Sequence, residues 1–158
     1  MVSDSAQENP VPPRSARTPT EYLTREKIEN LSQLSICLLA GEGFALEDVE
    51  SMITMSELYS SSKVIRRIFP RSRRSSQPHC AGQSPHRLSA NQSALAFQFA
   101  KVLEHATKVF GSQRLAEQWL DRPCKHLGGT VPLDLIDNAL GFRAVEDYLE
   151  RIELGVYQ

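Results

Sequence analysis

Five arginines, Arg66, Arg67, Arg71, Arg73 and Arg74, crowd into nine positions, and a guanidinium fork suits both phosphate oxygens and guanine edges. Their spacing therefore points to contact with duplex DNA. No aromatic residue is interleaved with them, which argues against stacking on single strands. Near the other end Glu146, Asp147, Glu150 and Glu153 fall within eight residues, a density that makes a solvated acidic face rather than an acid/base pair. His79, Cys80 and His86, with Cys124 and His126, are ligand types that zinc accepts, but their spacing matches no common zinc site, and no metal or other cofactor is expected. No glycine-rich phosphate loop, nucleophile elbow or Cys-x-x-Cys pair is present, so the chain is not read as an enzyme. Val156 and Tyr157 follow the last helical signal, where no further helix can cover them.

Charge is strongly segregated. The 158 residues carry a net charge of −1, yet residues 61–101 hold eight Lys and Arg and no acid, between acidic flanks. Such a block presents a positive surface to phosphate or to an acidic partner. A hydrophobic share of 41% against 23% charged excludes wholesale disorder. The longest apolar run, residues 36–40, is far below the ~20 residues of a membrane span. No secretory signal pattern opens the sequence, and three scattered cysteines give no disulfide framework. The expectation is a cytoplasmic protein with no membrane partner.

The elements that must position these residues read as all-α, because no stretch sustains alternation with period two. Residues 1–20 are rich in proline and poor in large apolar side chains, and read as a flexible arm. A helix is predicted over 20–39 from Leu23, Ile28, Leu31, Leu34 and Leu38, stopped by Gly41 and Gly43. Further helices are predicted around 46–53 and 64–69, the latter ended by Pro70. Three short helices before a basic stretch suggest a helix-turn-helix-like region over 21–87. Pro78, Gly82 and Pro85 forbid a long helix over 71–86.

Ser89-Ala-Asn-Gln92 is a capping box, and it opens a helix carrying Leu95, Phe99, Val102, Leu103, Ala106, Val109 and Phe110 up to Gly111. Ser112 caps the next, whose Leu115, Ala116, Trp119 and Leu120 are expected to face inward. Pro132 is expected to start a helix through Leu135, Ile136 and Leu140, closed by Gly141. Val145, Leu149 and Ile152 form the core face of the last helix, with Gly155 as its cap.

The succession Val109-Phe-Gly-Ser112, Ala116-x-x-Trp119-Leu120, Pro123, Leu127-Gly-Gly129, Pro132-Leu133, Leu135, Gly141, Val145, Leu149 and Arg151-Ile-Glu-x-Gly155 resembles the C-terminal toxin-binding domain of the Xre/MbcA/ParS antitoxin family. The likeness covers residues 88–158. Arg87-Leu88-Ser89 with Ser93 resembles the family's lead into that domain, and Ile68-Phe69-Pro70-Arg71-Ser72 resembles the start of its recognition helix.

The resemblance implies a type II antitoxin that neutralises a cognate RES-domain, NAD-consuming toxin by covering its NAD site. Its toxin-binding residues would be Arg143, Glu146, Asp147, Glu150, Arg151, Gly155, Val156, Tyr157 and Gln158. It also implies a repressor that binds its own operator as a homodimer, through Arg66, Arg67, Arg71, Arg73 and Arg74. The alternative reading is a stand-alone helix-turn-helix transcriptional regulator whose C-terminal domain only dimerises.

Overall fold

A computed structural model describes residues 17–70 and 86–156. Arg71, Arg73, Arg74, His79, Cys80, Tyr157 and Gln158 lie outside the described residues, as does most of the arm expected over 1–20. Within the described residues the chain is all-α, with two isolated backbone bridges and no strand.

The organising element is α6 (Ala90–Phe110), 21 residues and therefore about 31 Å long. Ser89 Oγ accepts the Gln92 amide at 3.3 Å and Gln92 Oε1 accepts the Ser89 amide at 3.1 Å, so the predicted capping box forms. Gly111, at φ +82°, ends the helix in the left-handed region that glycine adopts without a Cβ penalty. Ala96, Ala100 and Ala106 alternate with Phe99, Val102 and Leu103 among the buried residues of α6, letting helices pack against it.

The helix predicted over 20–39 is two helices. α1 (Pro19–Thr24) starts at a Thr18/Glu21 capping box and stops at Arg25, which takes φ 60°. A 3-10 turn, Ile28–Asn30, follows, and Ser32 then caps α2 (Gln33–Glu42) by accepting the Ser35 amide at 3.0 Å. Short polar side chains break the run because they offer the backbone other partners: Thr24 Oγ1 donates to the carbonyls of Thr20 and Glu26. α2 consequently buries Ile36 and Ala40, while Leu34 and Leu38, two of the apolar residues at helical spacing, stand 67% and 59% exposed.

Gly43, at φ +88°, turns the chain at the end of α2, and a Cβ there would lie 2.2 Å from the Leu88 carbonyl oxygen. This close approach lets Phe44 and Leu88 pair through their backbones at 2.9 Å, while Ser93 Oγ accepts the Phe44 amide.

Three further helices follow: α3 (Leu46–Thr54), α4 (Glu57–Ser60) and α5 (Ser62–Ile68). Tyr59, fully buried, sets its ring edge-to-face on Phe99 and donates its hydroxyl to the Phe99 carbonyl at 2.8 Å. Burial, and secondarily the nearby Glu117 carboxylate, push the phenol well above its ordinary pKa.

After Gly111, Ser112 caps α7 (Gln113–Leu120) as predicted. From α7, Glu117 accepts the Leu58 amide at 3.1 Å and Gln113 donates to the Met55 carbonyl at 2.8 Å, tying the region before α6 to the one after it. Leu115 does not face inward; it is 45% exposed.

Pro132 does open a helix, but α8 (Pro132–Leu135) is a single turn. Asn138 then caps α9 (Ala139–Glu153), accepting the Gly141 amide at 2.8 Å. Gly141 is therefore inside a helix rather than closing one. Its role is close approach, since a Cβ there would sit 2.1 Å from the Leu135 carbonyl oxygen. One hydrophobic core, running from Leu23 through Tyr59 and Phe99 to Leu149, joins the helices on both sides of α6.

Candidate protein-binding site on the last helix

α9 packs Val145 and Leu149 into the core, which turns its opposite face to solvent. Along that outer face, at spacings of three and four, stand Leu140, Arg143, Ala144, Asp147, Arg151 and Leu154. Leu140 is 85% exposed and Leu154 71%, one near each end of the stripe. Between them Arg143 Nε donates to Asp147 Oδ1 at 3.0 Å. The chain leaves α9 at Gly155, with φ +71°, and the Val156 amide turns back to the Arg151 carbonyl at 2.9 Å. That cap carries Val156, 63% exposed, on from the stripe. Exposed aliphatic side chains around an ion pair make a surface suited to a protein rather than to a small ligand.

The candidate residues thus divide. Arg143, Asp147 and Arg151 belong to the outer stripe, with exposed Glu150 beside it and Gly155 and Val156 at its end. Glu146 points the other way, towards α6. Its Oε2 lies 3.3 Å from His105 Nδ1 and 3.6 Å from Lys101 Nζ, and its Oε1 is buried without a hydrogen-bond partner. His105 Nε2 reaches Glu153 Oε2 at 3.2 Å, and Lys108 Nζ reaches the other oxygen of Glu153 at 2.6 Å. The hydrogen bond to Glu146 raises the His105 pKa against the opposing pull of burial, with Glu153 adding to the rise. Lys108 holds Glu153 below the ordinary carboxylate range. This network clamps α9 onto α6 and keeps the outer stripe fixed in direction.

A second support is aromatic. Trp119 of α7, only partly buried, lies 5.3 Å from Phe110 and stacks on Tyr148 of α9 at 5.8 Å, and His126 stacks on the Tyr148 ring at 5.6 Å. Leu140 and Leu154 were not singled out as site residues by the sequence reading, which placed Leu140 only as part of the helix expected from Pro132. The available signal was their interval of fourteen positions, close to four helical turns, on one face with Asp147 and Arg151.

Of the arginines read as DNA contacts, Arg66 is exposed on α5. Arg67 is engaged within the fold: its guanidinium donates to the Leu133 carbonyl at 2.7 Å, to Asp137 at 3.1 Å and to Asp134. Among the described residues no cluster of three His, Cys, Asp or Glu side chains is arranged to hold a metal ion, and no helix is long and apolar enough to cross a membrane.

Comparison with known proteins falls on this same part of the chain. Residues 105–155 match the model of the antitoxin Xre/MbcA/ParS C-terminal toxin-binding domain. A curated protein of Photorhabdus laumondii, Antitoxin Xre, is 32% identical over 84 residues, which is 52% of this chain and 55% of that protein. The chain thus spans about half the length of the curated relative it matches. The matched segment contains His105, the aromatic stack and the outer stripe of α9 from Leu140 to Leu154, so this part of the chain is similar to the toxin-binding domain of the Xre/MbcA/ParS antitoxins.

Proposed function

We propose that the chain is a type II antitoxin whose α9 stripe, with the residues following Gly155, binds a cognate RES-domain toxin and covers the entrance to its NAD site. The observation that carries this reading is the outward stripe from Leu140 to Leu154, clamped to α6 inside the segment that matches a toxin-binding domain. The RES identity of the toxin follows from the resemblance of the 109–155 motif succession. Glu150 and Asp147 add acidic groups to a surface that would face basic NAD-binding side chains. The basic block over 61–101 supports a second role, repression of its own operon as a symmetric dimer on a palindromic operator. No catalytic role is assigned to any residue.

The test is cellular NAD after induction of the reading frame adjacent to this gene. NAD falls when that frame is induced alone, is restored by co-expression of the native chain, and is not restored by a chain carrying Leu140→Asp and Leu154→Asp. Because both leucines are exposed, the variant keeps its fold, which circular dichroism checks. NAD that never falls overturns the RES reading and favours the stand-alone regulator, to which the basic block alone would belong.

A further inference from the structure

α9 is fastened at its two ends by different chemistry. At its start Asp137, the residue before the Asn138 cap, meets the guanidinium of Arg67, which is charged at every physiological pH. Towards its end, beyond the last buried residue Leu149, side chains of α6 hold it instead. His105 reaches across two turns of α9, with Nδ1 3.3 Å from Glu146 Oε2 and Nε2 3.2 Å from Glu153 Oε2. A neutral imidazole carries one N–H, so in that form one ring nitrogen turns a lone pair towards a carboxylate oxygen. Only the imidazolium suits both contacts. Glu146 adds to the demand for positive charge, because its Oε1 is buried without a hydrogen-bond partner.

We propose that His105 is a proton-operated latch for the end of α9: with the imidazolium in place residues 150–156 complete the helix and its cap, and on deprotonation they fray while the helix up to Leu149 stays docked. Leu154 and Val156 are thereby presented in one protonation state and released in the other, whereas Leu140, beside the permanent charge of Arg67, stays fixed. Glu146, more than Glu153, raises the His105 pKa, so the latch is shut below about pH 6.5 and opens as pH rises through the folded value. Glu29 of the 3-10 turn, Lys101, Glu104 and Lys108 of α6 and Glu150 of α9 line the same hollow, in which histidine is the one side-chain type with an ordinary pKa near neutrality. Lys108 also meets Glu153, at 2.6 Å, but a pair of exposed side chains adds little. What the latch regulates rests on the toxin-binding reading above, whereas its existence is tested on the chain alone.

The experiment is carbon-13 and nitrogen-15 NMR of the full chain from about pH 6 to about pH 9, which follows each imidazole and the helical Cα shifts of α9 residue by residue. In the native chain the helical shifts of 150–153 are lost with the midpoint of the His105 ring, while those of 139–149 hold. His105→Lys, which keeps a cation, leaves the end of α9 helical throughout, and His105→Gln, which has no charge to lose, removes the pH dependence. Shifts at 150–153 that stay constant through the His105 titration overturn the proposal. So does a loss that survives in either variant, or one that follows the midpoint of His126, which stacks on Tyr148 of the same helix. The regulatory consequence is read from affinity for the product of the adjacent reading frame: Leu154→Asp weakens the complex more at about pH 6 than at about pH 9, and Leu140→Asp by the same factor at both. A complex without that difference overturns the regulatory role. An absent complex is a failure of the toxin reading, and the NMR result still decides the latch.

Discussion

Arg67 donates from α5 to the carbonyl oxygen of Leu133 over 2.7 Å, joining the last helix before the basic segment to the turn that precedes α9. The same guanidinium meets Asp137 and Asp134, and its side chain is only 21% exposed. Replacing it with alanine leaves the Leu133 carbonyl and two carboxylates without their donor. The expected loss is about 1.5–3 kcal/mol, as for hydrogen bonds to a charged group. Urea denaturation of R67A against the native chain measures it, and an unchanged midpoint would show the contact to be without weight.

Gly141→Ala puts a methyl group 2.1 Å from the Leu135 carbonyl oxygen, a backbone atom that cannot swing away. Alanine would otherwise favour the helix, so the sign of the effect separates propensity from close packing. The expected result is destabilisation of about 1–3 kcal/mol, as in other overpacked sites. Thermal unfolding reads it directly, and a more stable G141A chain contradicts the α8 to α9 geometry.

The clamp around His105 predicts a pH dependence. The His105 pKa is raised in the fold, so its contribution is complete below the ordinary histidine value of about 6.5 and is lost as pH rises through the folded value. Glu153 works in the opposite sense: its pKa is lowered, so its contribution is lost as pH falls through the folded value. His105 is in contact with Glu146 and Glu153 of α9, and Glu29, Lys101, Glu104, Lys108 and Glu150 line the same hollow. His105→Gln should therefore lower the unfolding temperature more at about pH 6 than at about pH 8. A deficit that is the same at both values would mean that the imidazole is not charged in the clamp.

Reversal of Arg71, Arg73 and Arg74 to Glu is expected to abolish binding to the DNA upstream of the gene while leaving toxin binding intact. Anisotropy of a labelled fragment measures the first and co-purification the second. The native affinity should also fall steeply with added salt, because each phosphate contact releases counterions. DNA affinity unchanged by the reversal moves the operator contact elsewhere on the chain.

What was legible in the sequence is what forms within one turn of the backbone. Ser89 with Gln92, Ser112 before α7, Pro132 at the start of α8, and Gly111 and Gly155 at helix ends all act on groups three or four residues away. The motif succession over 109–155 was legible too, and it falls in the segment that matches the toxin-binding domain.

Spacing already marked the core faces of α6 and α9, but the tertiary structure alone decided which neighbours cover them and which residues of α2 stay in solvent. Thr20 is held by Glu104, 84 positions later, and Arg67 by α8, 66 positions later, and nothing in the local pattern announces either pairing. Apolar spacing says that a helix has a face to bury, but the facing neighbour decides which face it is. Hence Leu34 and Leu38, which fall in the apolar helical spacing of 20–39, and Leu140 stand in solvent, while Glu146, which read with the acidic face, turns inward to His105. The sequence itself determined the helices and their caps because those bonds are short-range. Tertiary packing chose the outward surfaces, because burial is a property of two elements meeting.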